Sequence, residues 1–183
     1  MKPIVLYGDS VLREEAEPIA AVTGEVRTLA REMLDTMYAH DGAGLAAEQI
    51  GRTEAICVVD VSPGRGAGEG EQSVENPSVA MPLVMLNPEI TDRKGQQRAP
   101  EGCLSFPEVF VQVSRAEEIT ARFMDLDGQS RTIRARGLLA RAIQHEVDHL
   151  NGVLLVDHMT SVQKIAVSGK LKRIRRRSRR RVL

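Results

Sequence analysis

The sequence predicts an α+β fold: antiparallel β-sheets surrounding a central helix that carries a His-Glu-x-x-His string, with a further helix at the C-terminus. Three observations predict it. Apolar residues recur at helical spacing in two separated stretches, 24–40 and 137–150. Between them lie short runs of strand character at 55–61, 82–86, 109–113, 118–126 and 129–135. The last two runs flank Asp127-Gly128, a strong signal for an antiparallel hairpin.

Each element has its own reason. In the first helix Val26, Leu29, Met33, Leu34 and Met37 share a face, Thr23 is placed as N-cap, and Asp41-Gly42-Ala43-Gly44 ends it with turn chemistry. Ala55 to Val61 is a nearly continuous apolar run. Pro82 to Leu86 is expected to stop at Asn87-Pro88. Ser62 to Met81 holds four alternating glycines, Gly64, Gly66, Gly68 and Gly70, and reads as a surface excursion rather than a domain linker. In the helix over 137–150, Leu138, Leu139, Ile143 and Leu150 supply apolar surface, and Asn151-Gly152 stops it. A last helix begins near Ser161 and runs into a basic tail.

At 183 residues the chain is long enough for one domain with a substantial core, and its 42% hydrophobic and 27% charged residues suit a soluble globular protein. No apolar stretch is long enough to cross a bilayer. The start, Met1 to Asp9, lacks the apolar run of a signal peptide, so a cytoplasmic location is expected. Two cysteines, Cys57 and Cys103, are too few for a secreted disulfide scaffold and suit a thiolate in a reducing compartment. The net charge of zero hides an asymmetry: residues 170–183 hold nine lysines and arginines and no acid. The organisation expected is therefore a catalytic domain over 1–169 and a basic tail over 170–183, whose charge suits a polyanionic partner.

The chemistry concentrates in His145-Glu146-Val147-Asp148-His149. Positions i and i+4 of a helix lie on one face, so His145 and His149 can hold one metal ion, and Glu146 can take a proton from a water bound to it. Cys103, within Glu101-Gly102-Cys103-Leu104-Ser105, is the candidate third ligand. Two imidazoles and a thiolate leave a fourth position open, as a catalytic tetrahedral site requires. The rival readings are a small buried apolar residue for Cys103, a structural site for the histidines and a solvated helix glutamate for Glu146. A structural site needs a fourth protein ligand, and His40 and His158 have no suitable spacing.

Three segments together resemble the peptide deformylases: Gly42-Ala43-Gly44-Leu45-Ala46-Ala47-Glu48-Gln49, Glu101 to Ser105, and His145 to Leu150. The resemblance spans the chain from the first helix to the metal helix. It implies antiparallel sheets wrapped around the HExxH helix and removal of the formyl group from the initiator methionine of nascent chains. It implies Cys103, His145 and His149 as ligands to one divalent ion, usually Fe2+, with Zn2+, Ni2+ or Co2+ able to occupy the site. It implies Glu146 as general base and acid, and the Gln49 side-chain amide and Leu104 N–H as oxyanion donors. It also implies that the main chain near Gly44, with Gly42 and Leu45, pairs with the substrate like an added strand.

The chain departs from that pattern in three places. Glu48 stands where proline is usual, Arg141 where the methionine pocket is often apolar, and Phe110 where some members carry an arginine. If Arg141 faces inward, its aliphatic stem is expected to line the pocket with the guanidinium reaching solvent. Arg115 and Glu101 are either a bracing pair or two surface charges. A conventional HExxH protease completes its site with His or Glu, so Cys103 argues against one. The basic tail is either a solvated end or a contact to ribosomal RNA. An RNA-associated protein with a relic metal fold is the non-enzymatic rival, against which the intact Cys103, Glu146 and Gln49 set stands.

Overall fold

The computed structural model describes residues 2–62 and 76–179. Helix α1 covers Gly24–Ala39, capped by the Thr23 side chain, which accepts from the Val26 N–H. Strands follow at β1 (Gly44–Ala46), β2 (Ile56–Val59), β3 (Leu83–Lys94), β4 (Gln97–Glu101), β5 (Val111–Arg115), β6 (Glu118–Met124) and β7 (Ser130–Arg136). Helix α2 covers Gly137–Leu150 and helix α3 covers Ser161–Arg179. The strands form a five-stranded sheet in the order β1-β2-β3-β6-β7 and a two-stranded sheet β4-β5, every pairing antiparallel.

β2 explains why its sequence lacks alternation. Successive strand residues point to opposite faces, and both faces of this sheet are covered. Cys57 and Val59 pack with Leu139 and Ile143 of α2, whereas Ile56 and Val58 pack with Leu29, Met33 and Met37 of α1. α2 is thus the central helix, with Leu139, Ala140 and Ile143 fully buried. A third apolar cluster, including Phe106, Val111, Val113, Leu155 and Ile174, joins the two-stranded sheet to α3. The helix that continues the basic tail is therefore docked on the body at Ile174.

Two expectations need correction. β3 does not stop at Asn87-Pro88 but continues to Lys94. The register slips between Leu86 and Glu89 and Asn87 takes a positive φ of 49°, so a bulge accommodates the proline instead of ending the strand. The Asn87 side chain uses that position to grip the N-terminal segment: its Oδ1 accepts from Ile19 N–H and its Nδ2 donates to the Ile19 carbonyl. β4 has no counterpart in the sequence reading, and β5 begins at Val111 rather than Val109. The 127–128 hairpin forms, closed by Asp125 N–H on the Gln129 carbonyl. Most of the glycine-rich excursion expected over 62–81 lies outside the described residues.

Candidate active site

α2 presents His145 and His149 one turn apart, with ring centroids 5.0 Å from each other. Cys103 lies two residues beyond the end of β4, in a tight turn closed by Phe106 N–H on the Cys103 carbonyl. Together the three residues bring one donor atom each within 4.8 Å of one another. The Cys103 Sγ and His149 Nε2 are 3.3 Å apart. In a tetrahedral ion site a thiolate and an imidazole nitrogen keep about 3.5 Å between them. The donor set and its spacing therefore fit a divalent cation.

The surrounding groups orient these donors. Glu101 Oε2 lies 3.2 Å from His145 Nδ1, which fixes a proton there and leaves Nε2 to a cation, which displaces any proton held on that nitrogen. Glu101 is gripped in turn by Arg115, through Nε at 2.8 Å and Nη2 at 2.9 Å, and by Arg141 Nη1 at 2.5 Å. Arg115 also donates to Asp148 Oδ2 at 2.6 Å. The expected Arg115–Glu101 pair is thus a buried brace and not two surface charges. Burial alone would raise the Glu101 pKa, but the hydrogen bonds to His145 and Arg115 outweigh it and hold the carboxylate well below its usual range. For His145 burial opposes protonation, yet bonds to Cys103 and Glu101 carry its pKa well above the ordinary value. Burial leads the depression of the His149 pKa, with the His145 charge adding to it.

Glu146 is buried, not solvated, and its Oε2 has no hydrogen-bond partner. Burial pushes its pKa up to about 7, against the lowering effect of His145 and Arg115. Gly44 makes room for it: a Cβ on Gly44 would overlap the Glu146 side chain, lying 2.9 Å from its Cγ. The glycine at position 44 is what leaves room for the buried glutamate. The Gln49 amide is fixed at both ends. Its Oε1 accepts from Ala46 N–H at 2.9 Å, and its Nε2 points at Cys103 Sγ (3.4 Å) and Ser105 Oγ (3.3 Å).

A cleft of about 640 Å³ opens onto these groups, lined by Gly44, Gln49, Cys103, Leu104, His145 and Glu146 among others. Gly42 also lines it, whereas Leu45 is fully buried against α1, main chain included, and does not reach the cleft. The departures resolve as follows. Arg141 does not send its guanidinium to solvent; it is 6% exposed and held by Glu101. Phe110 stands 71% exposed at the rim, its ring over Gly102. Glu48 is completely buried with both oxygens unpartnered. Reading the sequence missed Ser105, Asp148 and His158 as parts of this arrangement. Asp148 lies inside the HExxH string, so a search for partners of the histidines could have found it; His158 carries no spacing signal.

A family model described as polypeptide deformylase matches residues 1–165. The chain belongs to the polypeptide deformylase family. It is a metal-dependent hydrolase that removes the N-formyl group from nascent peptides, as the resemblance implied. Among its relatives, the peptide deformylase of Picosynechococcus sp. is 48% identical over 174 residues, covering 93% of this chain and 85% of that protein. The peptide deformylase of Nitrosococcus oceani is 39% identical over 175 residues, covering 96% of each. Among solved structures, the Thermus thermophilus peptide deformylase superposes with a TM-score of 0.83 at 35% identity, covering 97% of this chain and 99% of that one. The expected fold, sheets around a central helix with a C-terminal helix, is that of these deformylases. Among the described residues no helix is long and apolar enough to cross a membrane.

Proposed function

We propose that Cys103, His145 and His149 together hold one divalent cation, Fe2+ in the cell, with Zn2+, Ni2+ or Co2+ able to replace it. The observation that carries this is the convergence of the three donors within 4.8 Å beside Glu146. A divalent ion bound there supplies Lewis acidity and makes hydroxide available near neutral pH. A thiolate ligand also makes the iron form oxygen-sensitive.

The chain's own residues do the rest. The formyl-methionyl peptide lies along β1, an edge strand of the five-stranded sheet, and the main chain of Gly42 and Gly44 meets it there, while the buried Leu45 anchors the strand rather than touching the peptide. The Glu146 Oε2, buried and unpartnered, accepts the proton of the attacking water and returns it to the departing amine nitrogen. Attack on the formyl carbonyl creates an oxyanion, which the Gln49 Nε2 and the Leu104 backbone N–H stabilise. Formate leaves and the free methionyl amine remains.

The catalytic unit is residues 1–169, and the basic segment 170–183 contacts ribosomal RNA, keeping this cytoplasmic enzyme near emerging chains. Lys170, Arg173 and Arg177 share one groove along α3 with Pro107, Glu108 and Ile174, and these three cations are what supports that reading. Such binding weakens steeply with salt and is lost on deletion of 170–183.

One assay tests the activity. The protein is loaded with ferrous or nickel ion without oxygen and offered formyl-Met, acetyl-Met and unblocked peptides. Formate release from the first alone is expected. Cleavage of internal bonds, or no turnover with metal bound, overturns the reading.

A further inference from the structure

A chain of charged groups runs from His145 through buried side chains back to Asp148 on the same helix and out to His158 at a second cavity. His145 Nδ1 is 3.2 Å from Glu101 Oε2; Glu101 is held bidentately by Arg115; Arg115 Nη1 donates to Asp148 Oδ2 at 2.6 Å; and His158 Nε2 donates to the same oxygen at 2.7 Å. The inner part of the chain is closed, since the Arg115 and Glu101 side chains are 4% and 5% exposed. The outer part is open: the His158 and Asp148 side chains are 28% and 27% exposed. They line a separate cavity of about 500 Å³ with Arg93, Gln96 and Arg115.

We propose that His158 is a positioning residue for the active site, setting the orientation of His145 through Asp148, Arg115 and Glu101. The inference rests on the reading of His145 as a metal ligand. Asp148 Oδ2 is shared between Arg115 and His158, in reach of water. Without the His158 N–H, water competes for that oxygen and Asp148 holds Arg115 less firmly. Arg115 is a rigid planar fork, so any tilt moves both Glu101 oxygens. One of those oxygens is the acceptor that fixes the His145 ring and its tautomer.

His158 is not needed to hold its own segment, which separates positioning from simple support. The turn Leu155–His158 is pinned by Asp157, whose Oδ2 accepts from Leu154 N–H at 2.8 Å. Arg13 binds Asp157 with both terminal nitrogens and also donates to the Gly152 carbonyl at 3.0 Å. These contacts survive a change at residue 158.

The test uses the full chain loaded with Co2+. Affinity is measured by competition with a chelator, and the visible Co2+ spectrum reports ligand geometry. For His158→Ala the expected result is affinity weaker by about 3- to 10-fold, below the roughly 10- to 100-fold typical of a partner bonded directly to a ligand. The spectrum shifts, and kcat falls with KM little changed. His158→Gln, which keeps an N–H donor, restores most of both. In an Asp148→Ala background the His158→Ala change has no further effect, because the link is already cut. Should His158→Ala fail to fold, the comparison passes to His158→Gln and His158→Leu. Wild-type affinity, spectrum and kcat in His158→Ala overturn the proposal. So does a lowered Tm with all three unchanged, or an equal effect with and without Asp148. If the wild type itself binds no Co2+, or Cys103→Ala binds it unchanged, the ligand assignment has failed and this inference falls with it.

Discussion

Glu48→Gln is expected to stabilise the protein, and to do so more as the pH rises. Glu48 is completely buried, and neither carboxyl oxygen is bonded to another residue. Burial pushes its pKa up to about 8; its own backbone N–H offsets part of that, and the charges of Glu146, Glu54 and Glu14 add to it. In the unfolded chain the same group titrates near the ordinary carboxyl value. A pKa raised by folding means that the folded state prefers the protonated form. The associated stability is complete below the unfolded pKa and is lost as pH rises towards about 8. Each pKa unit is worth about 1.4 kcal/mol, so at pH 7 the loss is about 3 kcal/mol, and above pH 8 it levels off near about 5 kcal/mol. A glutamine has no charge to lose. Relative to its own value at pH 5, where about 0.8 kcal/mol is already lost, the wild type should therefore fall behind Glu48→Gln by roughly 2.5 kcal/mol at pH 7, which for a chain of this size is roughly 5–10 °C in Tm. Thermal and urea unfolding of the metal-loaded proteins at pH 5, 6, 7 and 8 measures the difference. A gap between wild type and variant that stays constant with pH would refute the reasoning, because it would mean that Glu48 ionises in the fold as freely as in the unfolded chain.

Three further outcomes follow from the site geometry. Gly44→Ala puts a methyl group into the Glu146 side chain, so steady-state assays should show kcat reduced at least about tenfold with metal content intact, approaching the roughly 10²- to 10⁴-fold loss of Glu146→Ala. Gln49→Leu removes one oxyanion donor and should lower kcat by roughly 10²-fold, about 3 kcal/mol, while bound metal measured by elemental analysis is unchanged. Arg115→Leu strips Glu101 and Asp148 of their shared cation; denaturant titration should show a loss of about 3–5 kcal/mol, and metal affinity should fall as the His145 acceptor loosens.

The parts of the site that were legible in the sequence are those whose chemistry is local. His145 and His149 are four residues apart, and helical geometry alone brings them to one face. Asp127-Gly128 specifies its hairpin without help from the rest of the chain. β4 was not legible, because Gln97–Glu101 forms one edge of a two-stranded sheet and carries almost no apolar pattern. Asn87-Pro88 reads as a strand end by local rules, yet the bulge between Leu86 and Glu89 and the Asn87 grip on Ile19 carry the strand through it. Arg141 reads as a snorkelling side chain because its partner Glu101 is 40 residues away, and only the tertiary structure makes an ion pair cheaper than solvent. His158 is hidden for the same reason, having no sequence relation to the Arg115–Asp148 pair that it joins.

X-ray absorption at the metal edge tests the central assignment most directly. For the protein loaded with one zinc per chain, the account predicts one sulfur at about 2.3 Å and two imidazole nitrogens at about 2.0–2.1 Å. The sulfur contribution should disappear in Cys103→Ser and one imidazole in His149→Ala. A first shell without sulfur, or a wild-type spectrum in Cys103→Ser, would contradict it.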